Sequence, residues 1–198
     1  MPSSVCHMAL DLHHGIEVHV GETKVCNFDN PPRTIGARNI RGSTIVIIYS
    51  GLGAIMANIA PARDSELSRD VEDGTQHARE HMQQVLDCYH EHKDRLFGTG
   101  VEASCVVYAA VYRSPRDITP DGLSVCLPHQ MAGIGVELAT IGFEPLFKFY
   151  LFTEQRRSSL SRGTAMVDGR GFVVAVYLDD RTTHVIETPR AAADRLRR

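Results

Sequence analysis

Two stretches of the chain repeat apolar residues at helical spacing. The first, over residues 75–95, carries one apolar face made by Ala78, Met82, Val85, Leu86 and Tyr89. The second, over residues 127–141, carries a stripe made by Leu127, Met131, Ile134 and Leu138. Each pattern predicts an amphipathic helix that packs its apolar face against a sheet.

The longest apolar run, Ser43 to Ala62, contains no charged residue and has the length of a membrane-spanning helix. Its first half is rich in β-branched residues, and Ser50 to Gly53 interrupts it with two glycines. These features favour a hairpin of two buried strands, 43–50 and 53–60, over a membrane helix. We therefore predict no membrane association.

The remaining periodic segments predict a strand-rich domain. Alternating Ile16, Val18 and Val20, followed by Thr23 to Phe28, indicate an opening hairpin. Further strands are predicted at 101–113, 145–153, 163–167, 171–178 and 184–187. The predicted fold class is α+β: a single domain over residues 1–189 with a sandwich-like, β-rich core flanked by two main helices, and a basic C-terminal tail at 190–198.

Composition narrows the class of protein. The 198 residues are 43% hydrophobic and 23% charged, as in an ordinary globular domain, and the net charge of −3 argues against nucleic-acid binding. The five cysteines are widely spaced and include no C-x-x-C pair, and the N-terminal segment lacks the basic region of a signal peptide. We expect a reduced, cytoplasmic protein.

A histidine-rich helix flank is the first candidate for chemistry. Residues 77–81 match the H-x-x-E-H arrangement of inverted zinc peptidases. His77, His81, Cys88 and His92 fall along one side of the predicted helix. The alternative is a polar flank that happens to be rich in histidine. Since no second ligand cluster at zinc-site spacing accompanies it, we predict no metal and no cofactor.

A cysteine nucleophile is the second candidate. Cys105 in its strand and His129 at the start of a helix would form a thiol and base if they met. Cys105 lies in the apolar run SCVVYAAVY, however, which favours an inert core position. The chain also lacks a P-loop, a nucleophile elbow and a dinucleotide-binding fingerprint.

Arginine makes up 18 of the 21 basic residues. Because arginine binds carboxylates and phosphates with two parallel hydrogen bonds, the Arg156 to Arg162 loop is a candidate anion site or lid. A biased genome composition is the alternative explanation for this excess of arginine over lysine.

The hairpin also resembles a known family. The run IRGSTIVII at residues 40–48, a short turn and IMANIAP at residues 55–61 are similar to the chemotaxis glutamine deamidase CheD and the catalytic domains of cytotoxic necrotizing factor toxins. In that superfamily the first strand carries a nucleophilic cysteine and the next strand its histidine. The resemblance implies a CheD-like fold over residues 15–180.

The chain departs from this family at both catalytic positions. The cysteine position falls on Ser43, or on Thr44 after a slip of one residue, and the histidine position falls on Asn58. Serine is a poor nucleophile without a base, and an amide does not accept a proton as imidazole does. A base would have to come from His129 or from the N-terminal histidines 13 and 14.

These replacements suggest that the chain keeps the shape of the family's pocket but lacks its catalytic cysteine and histidine. Ser43 and Asn58 would then orient a small-molecule substrate, with Thr44, Tyr49, Met56 and Tyr108 lining the pocket. The alternative is that Ser43 and Asn58 are ordinary polar residues at a strand end. The leading hypothesis is an enzyme for a non-covalent step such as cyclisation, isomerisation or pericyclic closure, as in secondary metabolism. The alternatives are a divergent glutamine deamidase and a catalytically dead protein-binding module. The sequence does not determine the oligomeric state.

Overall fold

The uncharged run at residues 43–60 lies at the centre of the fold. The computed structural model describes residues 4–12, 14–61, 71–113, 123–152 and 163–188. These residues contain three helices and eleven strands, in the chain order α1 (Val5–Leu12), β1 (Ile16–Glu17), β2 (Thr23–Asn27), β3 (Thr34–Ala37), β4 (Thr44–Ser50), β5 (Gly53–Ile59), α2 (Val71–Leu96), β6 (Ala103–Arg113), β7 (Leu123–Val125), α3 (Pro128–Thr140), β8 (Leu146–Leu151), β9 (Ala165–Asp168), β10 (Val173–Leu178) and β11 (Arg181–Glu187).

The strands form two sheets. The five-stranded sheet has the order β1-β3-β9-β10-β11, and the six-stranded sheet has the order β2-β5-β4-β6-β7, with β8 pairing in parallel with β6. Their facing sides bury one apolar cluster drawn from both sheets, including Ile45, Ile47, Val167 and Val176. We call these facing sides the inner faces.

Helices cover the two outer faces. The stripes of α2 and α3 pack on the outer face of the six-stranded sheet against Val46, Ile48 and Val107. The short helix α1 packs against Met166 on the outer face of the five-stranded sheet. Every residue of β4 and β5 is buried because these two strands lie between the second sheet and the helices.

The α+β class, the single domain and the two-sheet core are confirmed. The predicted helices at 75–95 and 127–141 correspond to α2 and α3, and the predicted hairpin corresponds to β4 and β5. Among the described residues, no helix is both long and apolar enough to cross a membrane.

The predicted opening hairpin is wrong. Strand β1 pairs in parallel with β3, whereas β2 pairs antiparallel with β5 in the other sheet. The turn at Gly21 and Glu22 bonds to Asn58 in β5 instead of closing a hairpin, and Val18 crosses into the inter-sheet core. Burying Val18 between the sheets outweighs local pairing of the two short segments.

Three elements were not predicted from the sequence: α1, β3 and β7. Long-range contacts fix α1. The Asp180 carboxylate accepts hydrogen bonds from the Ser4 hydroxyl (2.8 Å) and the Cys6 N–H (3.1 Å), and Arg38 pairs with Asp11 at 2.8 Å. The predicted tail at 190–198 and the Arg156 to Arg162 loop lie outside the described residues.

Candidate functional site

Strand register places most of the sequence-predicted site residues on one surface. Asn58 pairs with Ile45, Ile45 with Tyr108, and Tyr108 with Lys148. Directly paired residues point to the same side of a sheet, so these four side chains form one row across β5, β4, β6 and β8. Ile45 and Tyr108 belong to the inter-sheet cluster, so this Asn58 row lies on the inner face.

Ser43 lies directly before β4, and extending the alternation of β4 back by one residue directs its side chain to the same inner face as Ile45. When the register of β4 with β5 is extended by one residue, Ser43 and Asn58 are diagonal neighbours, a relationship that typically separates Cα atoms by about 7–8 Å. Both are buried, with 0% and 2% of their surface exposed. The hairpin register therefore places near each other the two residues that the family resemblance singled out.

Each of these two side chains has one polar atom without a hydrogen-bond partner in the described part of the chain. Asn58 Nδ2 donates to the Val18 carbonyl at 3.3 Å, but Asn58 Oδ1 accepts no hydrogen bond from the described residues. The Ser43 hydroxyl is likewise without a partner among them. An unpaired buried polar group costs about 1–3 kcal/mol. The described residues contain seven such atoms, and Ser43 Oγ and Asn58 Oδ1 are the two that belong to the predicted site.

Tyr150 fixes the main chain at Ser43. Its hydroxyl donates to the Ser43 carbonyl at 2.7 Å, and its ring lies 5.0 Å from the Tyr108 ring. Tyr150 pairs with Ala110, whose small side chain leaves room for the phenol to cross towards β4. Tyr108 and Tyr150 therefore connect Ser43 to the β8 edge of the sheet.

A groove of about 770 Å³ opens beside this row, between the edge of the six-stranded sheet and the turn that joins β10 to β11. One wall is formed by Tyr108, Lys148 and Phe149, and the other by Leu178, Asp179 and residues 181–183. We call it the Tyr108 groove. Its volume lies within the usual range for small-molecule sites, and Tyr108 belongs both to it and to the Asn58 row.

The other predicted pocket residues are distributed differently. Met56 lies beside Asn58 on the inner face, opposite Ile47. Tyr49 shares that face but stands six residues beyond Ser43, about 20 Å along the strand. Thr44 pairs with Ile59 and so belongs to the helix-covered side, away from Ser43. The structure does not bring Thr44 or Tyr49 to the Ser43 and Asn58 side chains.

The proposed bases also lie elsewhere. His129 is exposed at the start of α3, on the helix-covered side of the sheet. His14 is exposed between α1 and β1, and His13 lies outside the described residues. His184 reaches the inner layer, but its Nδ1 lies 2.6 Å from the Tyr49 hydroxyl at the far end of β4. None of the described histidines therefore lies where it could act as a base for the Ser43 hydroxyl.

The cysteines are held as neutral thiols. Burial raises the pKa of Cys6 and Cys26 to about 12 and of Cys126 to about 11, and it also raises the pKa of Cys88 and Cys105. Each is a free cysteine. A nucleophilic cysteine needs a lowered pKa, so these five environments oppose thiol chemistry.

On the histidine-rich flank of α2, the rings of His77 and His81 contact each other. His77 and His81 pack edge to face at 4.6 Å, and His77 Nε2 lies 2.9 Å from the Ala60 carbonyl. Burial, followed by the charge of His77, lowers the pKa of His81. Among the described residues, no three His, Cys, Asp or Glu side chains form a group able to hold a metal.

Sequence reasoning missed Lys148, Tyr150 and the second wall of the groove. The spacing of Lys148 and Tyr150 in β8 shows that they share a face, but their partners in β6 depend on a parallel pairing. The wall formed by β10 and β11 comes from another sheet. Comparison of the chain with protein-family models and with curated proteins finds no match.

Proposed function

We propose that the protein is an enzyme that binds a small molecule in the Tyr108 groove and the adjoining Ser43 and Asn58 site, and promotes a non-covalent step. Cyclisation, isomerisation and pericyclic closure are the reactions of this class. The observation that carries the proposal is a pair of buried polar atoms without a partner among the described residues, Ser43 Oγ and Asn58 Oδ1. Asn58 lies in the same row as Tyr108, which lines the groove.

The two atoms have complementary roles towards a substrate. Ser43 Oγ can donate one hydrogen bond, and Asn58 Oδ1 can accept one. Asn58 Nδ2 already donates to Val18, so that bond holds the amide in a fixed orientation. At the usual strand spacing, Ser43 and Asn58 lie about 5–10 Å from Tyr108. Fixed donors and acceptors in an apolar setting are the means by which such reactions are accelerated.

Two observations favour this reaction class over glutamine deamidation. The Ser43 hydroxyl contacts no histidine among the described residues, and the five thiols all have raised pKa values. Amide hydrolysis needs an activated nucleophile or an activated water. A step that conserves the atoms of the substrate needs neither.

Mass spectrometry tests the proposal directly. The purified protein is incubated with fractionated small-molecule extracts without added cofactor, and products are resolved by liquid chromatography. We expect a product with the mass of its substrate and a different retention time. Ammonia release, with the mass change of amide hydrolysis, would instead support a deamidase, and capture of a protein without any chemical change would support a binding module.

The variants Ser43→Ala and Asn58→Leu assign the activity to the site. Each should lower turnover by about tenfold or more, because each removes a hydrogen bond made to the substrate. Thr140→Ala, in an exposed position at the end of α3, is the matched control. If both site variants keep full turnover, the assignment of Ser43 and Asn58 is wrong.

A further inference from the structure

Strand β8 forms one edge of the six-stranded sheet. The Cys126 N–H, directly after β7, donates to the Ala110 carbonyl of β6 at 3.0 Å. The Phe152 N–H, directly after β8, donates to the Val111 carbonyl at 2.7 Å. Because the main-chain groups of successive strand residues point to opposite sides, β7 and β8 lie on opposite edges of β6. In the described part of the chain, β8 pairs only with β6.

The same bonds show which main-chain groups of β8 form its outer edge. In a parallel pair, every second residue directs both its N–H and its C=O to the neighbouring strand. The main chain of Phe152 faces β6, and so does that of Tyr150. The main-chain groups of Phe147, Phe149 and Leu151 therefore point away from β6. No strand among the described residues pairs with them.

This edge differs from two others in its side chains. Strand β2 includes Lys24, and β11 begins at Arg181 and ends at Glu187. Charged side chains protect an edge strand from pairing with another chain. The only charged residue of β8, Lys148, points to the inner face, and the outer-face side chains of β8 are all apolar. The outer face of β8 therefore lacks this protection.

The aromatic rings of β8 are exposed beside this edge. Phe147 and Phe149 alternate onto the helix-covered face, where they pair with residues 107 and 109. They nevertheless remain 38% and 48% exposed. Helix α3 passes directly beside them, because a Cβ placed on Gly135 would lie 3.6 Å from Phe147 Cζ. The two rings are therefore continuous with the surface of α3.

The outer side of α3 is uncharged as well. Ala132, Val136 and Ala139 fall at helical spacing and are exposed, Val136 to 65%. The only Asp, Glu, Lys or Arg side chain of α3 is Glu137, which pairs with Arg79 of α2 at 3.5 Å. A surface helix normally directs polar side chains to solvent. The outer side of α3 instead has the composition of a covered surface.

We call the exposed apolar area of these two elements the α3–β8 surface; it consists of Phe147, Phe149, Ala132, Val136 and Ala139. Together they expose on the order of a few hundred Å² of apolar surface, the size of patch that marks an interaction site. The open main-chain groups of β8 fit a β-strand, and the uncharged surface fits an uncharged partner. The partner that matches this surface therefore brings both a strand and an apolar helix face.

A second copy of the chain brings both. When a strand pairs antiparallel with itself, outward residues oppose outward residues, so the two-fold axis passes through one residue of the strand. An axis at Lys148 would oppose two ammonium groups, which destabilises a strand pair. An axis at Phe147 would oppose Phe149 to Pro145, which has no N–H to donate. These two registers are unfavourable.

An axis at Phe149 avoids both problems. It pairs Phe147 of each copy with Leu151 of the other copy, and all of these residues direct their main-chain groups outward. Their side chains lie on one face and are apolar. Lys148 is then opposite Tyr150 of the other copy and meets no like charge. The edge of β8 is therefore complementary to itself in this register.

We infer that the protein is a homodimer in which the β8 strands of two copies pair antiparallel about a two-fold axis at Phe149. The two six-stranded sheets become one continuous sheet. Because the axis is perpendicular to this sheet, both α3 helices lie on the same face, where their uncharged outer sides cover the aromatic rings. The inference is independent of the proposed function, although Lys148 and Phe149 also line the Tyr108 groove and place it beside the interface.

Sedimentation equilibrium between about 1 µM and about 100 µM tests the dimer. We expect a wild-type mass of twice the 21.9 kDa of one chain. Phe149→Lys and Phe149→Glu place like charges opposite each other at the axis, so each should weaken the dimer by about tenfold or more. An equimolar mixture of the two variants opposes an ammonium group to a carboxylate and should restore the dimer. A mixture that stays monomeric would overturn the inferred register.

Two further variants separate the interface from the folding of β8. Val136→Lys, at a 65% exposed position of α3, should weaken the dimer by about tenfold or more and leave the circular dichroism spectrum unchanged. Val185→Lys, at a 52% exposed position of β11, is the matched control and should leave the dimer unchanged. If Val185→Lys dissociates the dimer and Val136→Lys does not, the copies meet at another surface and the inference is wrong.

Oxidative cross-linking reports the register directly. Phe149→Cys places two thiols across the axis at a Cα separation of about 5.5 Å, which a disulfide spans. We expect a cross-linked dimer in a non-reducing gel, and no cross-link from Val185→Cys. A wild-type protein that sediments as a monomer, together with no cross-link in Phe149→Cys, would overturn the inference and leave the edge to a strand from another protein.

Discussion

The Tyr150 hydroxyl donates a 2.7 Å hydrogen bond to the main-chain carbonyl of Ser43, although Tyr150 itself pairs with Ala110 of β6. This bond joins the edge strand β8 to the residue that precedes β4. Ser43 follows Gly42, which has a φ of +75° that favours glycine. The backbone at the candidate site is therefore held by a side chain that lies 107 residues away in sequence.

Replacing Tyr150 with phenylalanine tests this anchor. Tyr150→Phe leaves the buried Ser43 carbonyl without the phenol, so we expect the free energy of unfolding to fall by about 1–3 kcal/mol. Urea denaturation of both proteins measures the change. Tyr112→Phe, at an exposed tyrosine of β6, should change stability by less than about 0.5 kcal/mol. Equal effects of the two variants would argue against the anchor.

Ser43, directly before β4, and Ser50, the last residue of β4, provide a comparison between two fully buried serines. The Ser50 hydroxyl donates to the Leu96 carbonyl and accepts from the Leu52 N–H at 3.1 Å, whereas the Ser43 hydroxyl has no partner among the described residues. Ser50→Ala should therefore cost about 1–3 kcal/mol, and Ser43→Ala should be neutral or stabilising by up to about 1 kcal/mol. Thermal unfolding of the two variants decides between them. A large loss of stability in Ser43→Ala would show that its hydroxyl serves the fold.

Asp180 holds α1 to the β10–β11 turn through Ser4 and Cys6. Asp180→Ala removes this capping acceptor and places alanine at a φ of 60°. We therefore expect the free energy of unfolding to fall by about 1–3 kcal/mol and α1 to detach locally.

Cysteine alkylation measures the detachment of α1. Because Cys6 is only 1% exposed, its alkylation should accelerate in Asp180→Ala. Peptide mapping after iodoacetamide treatment measures the rate, with buried Cys105 as the internal control. Asp180→Asn, which keeps an acceptor and tolerates positive φ, should show a smaller effect. Unchanged labelling of Cys6 in Asp180→Ala would contradict this role.

Alkaline pH should destabilise the protein through its buried thiols. Burial raises the pKa of Cys6 and Cys26 from 9.0 to about 12, so the unfolded state loses these protons first as pH rises. Their stabilisation is fully present below pH 9 and is lost towards pH 12, at about 1.4 kcal/mol per pH unit for each thiol. Urea midpoints measured from pH 8 to pH 11 follow this loss. Cys26→Ala should reduce the slope by the share of one thiol; an unchanged slope would exclude Cys26 as a contributor.

Periodicity alone predicted α2, α3 and the central hairpin, because each element has a long apolar pattern that only one kind of secondary structure can bury. It failed at residues 16–28. There the local alternation suggested a hairpin, but β1 and β2 join different sheets. Short segments have little intrinsic preference, so the partner that buries Val18 determines where they pair.

The candidate site was likewise predicted only in part from the sequence. The sequence by itself determined that Ser43 and Asn58 stand near the ends of two adjacent antiparallel strands, since the hairpin and its short turn require it. Only the tertiary structure decided that Thr44 faces the helices, that His129 lies beyond the sheet, and that Lys148 and Arg181 line one groove. Those relations depend on which sheet faces lie against each other and on pairing between strands far apart in sequence. Residue spacing along the chain carries no information about which sheet faces pack together or which distant strands pair.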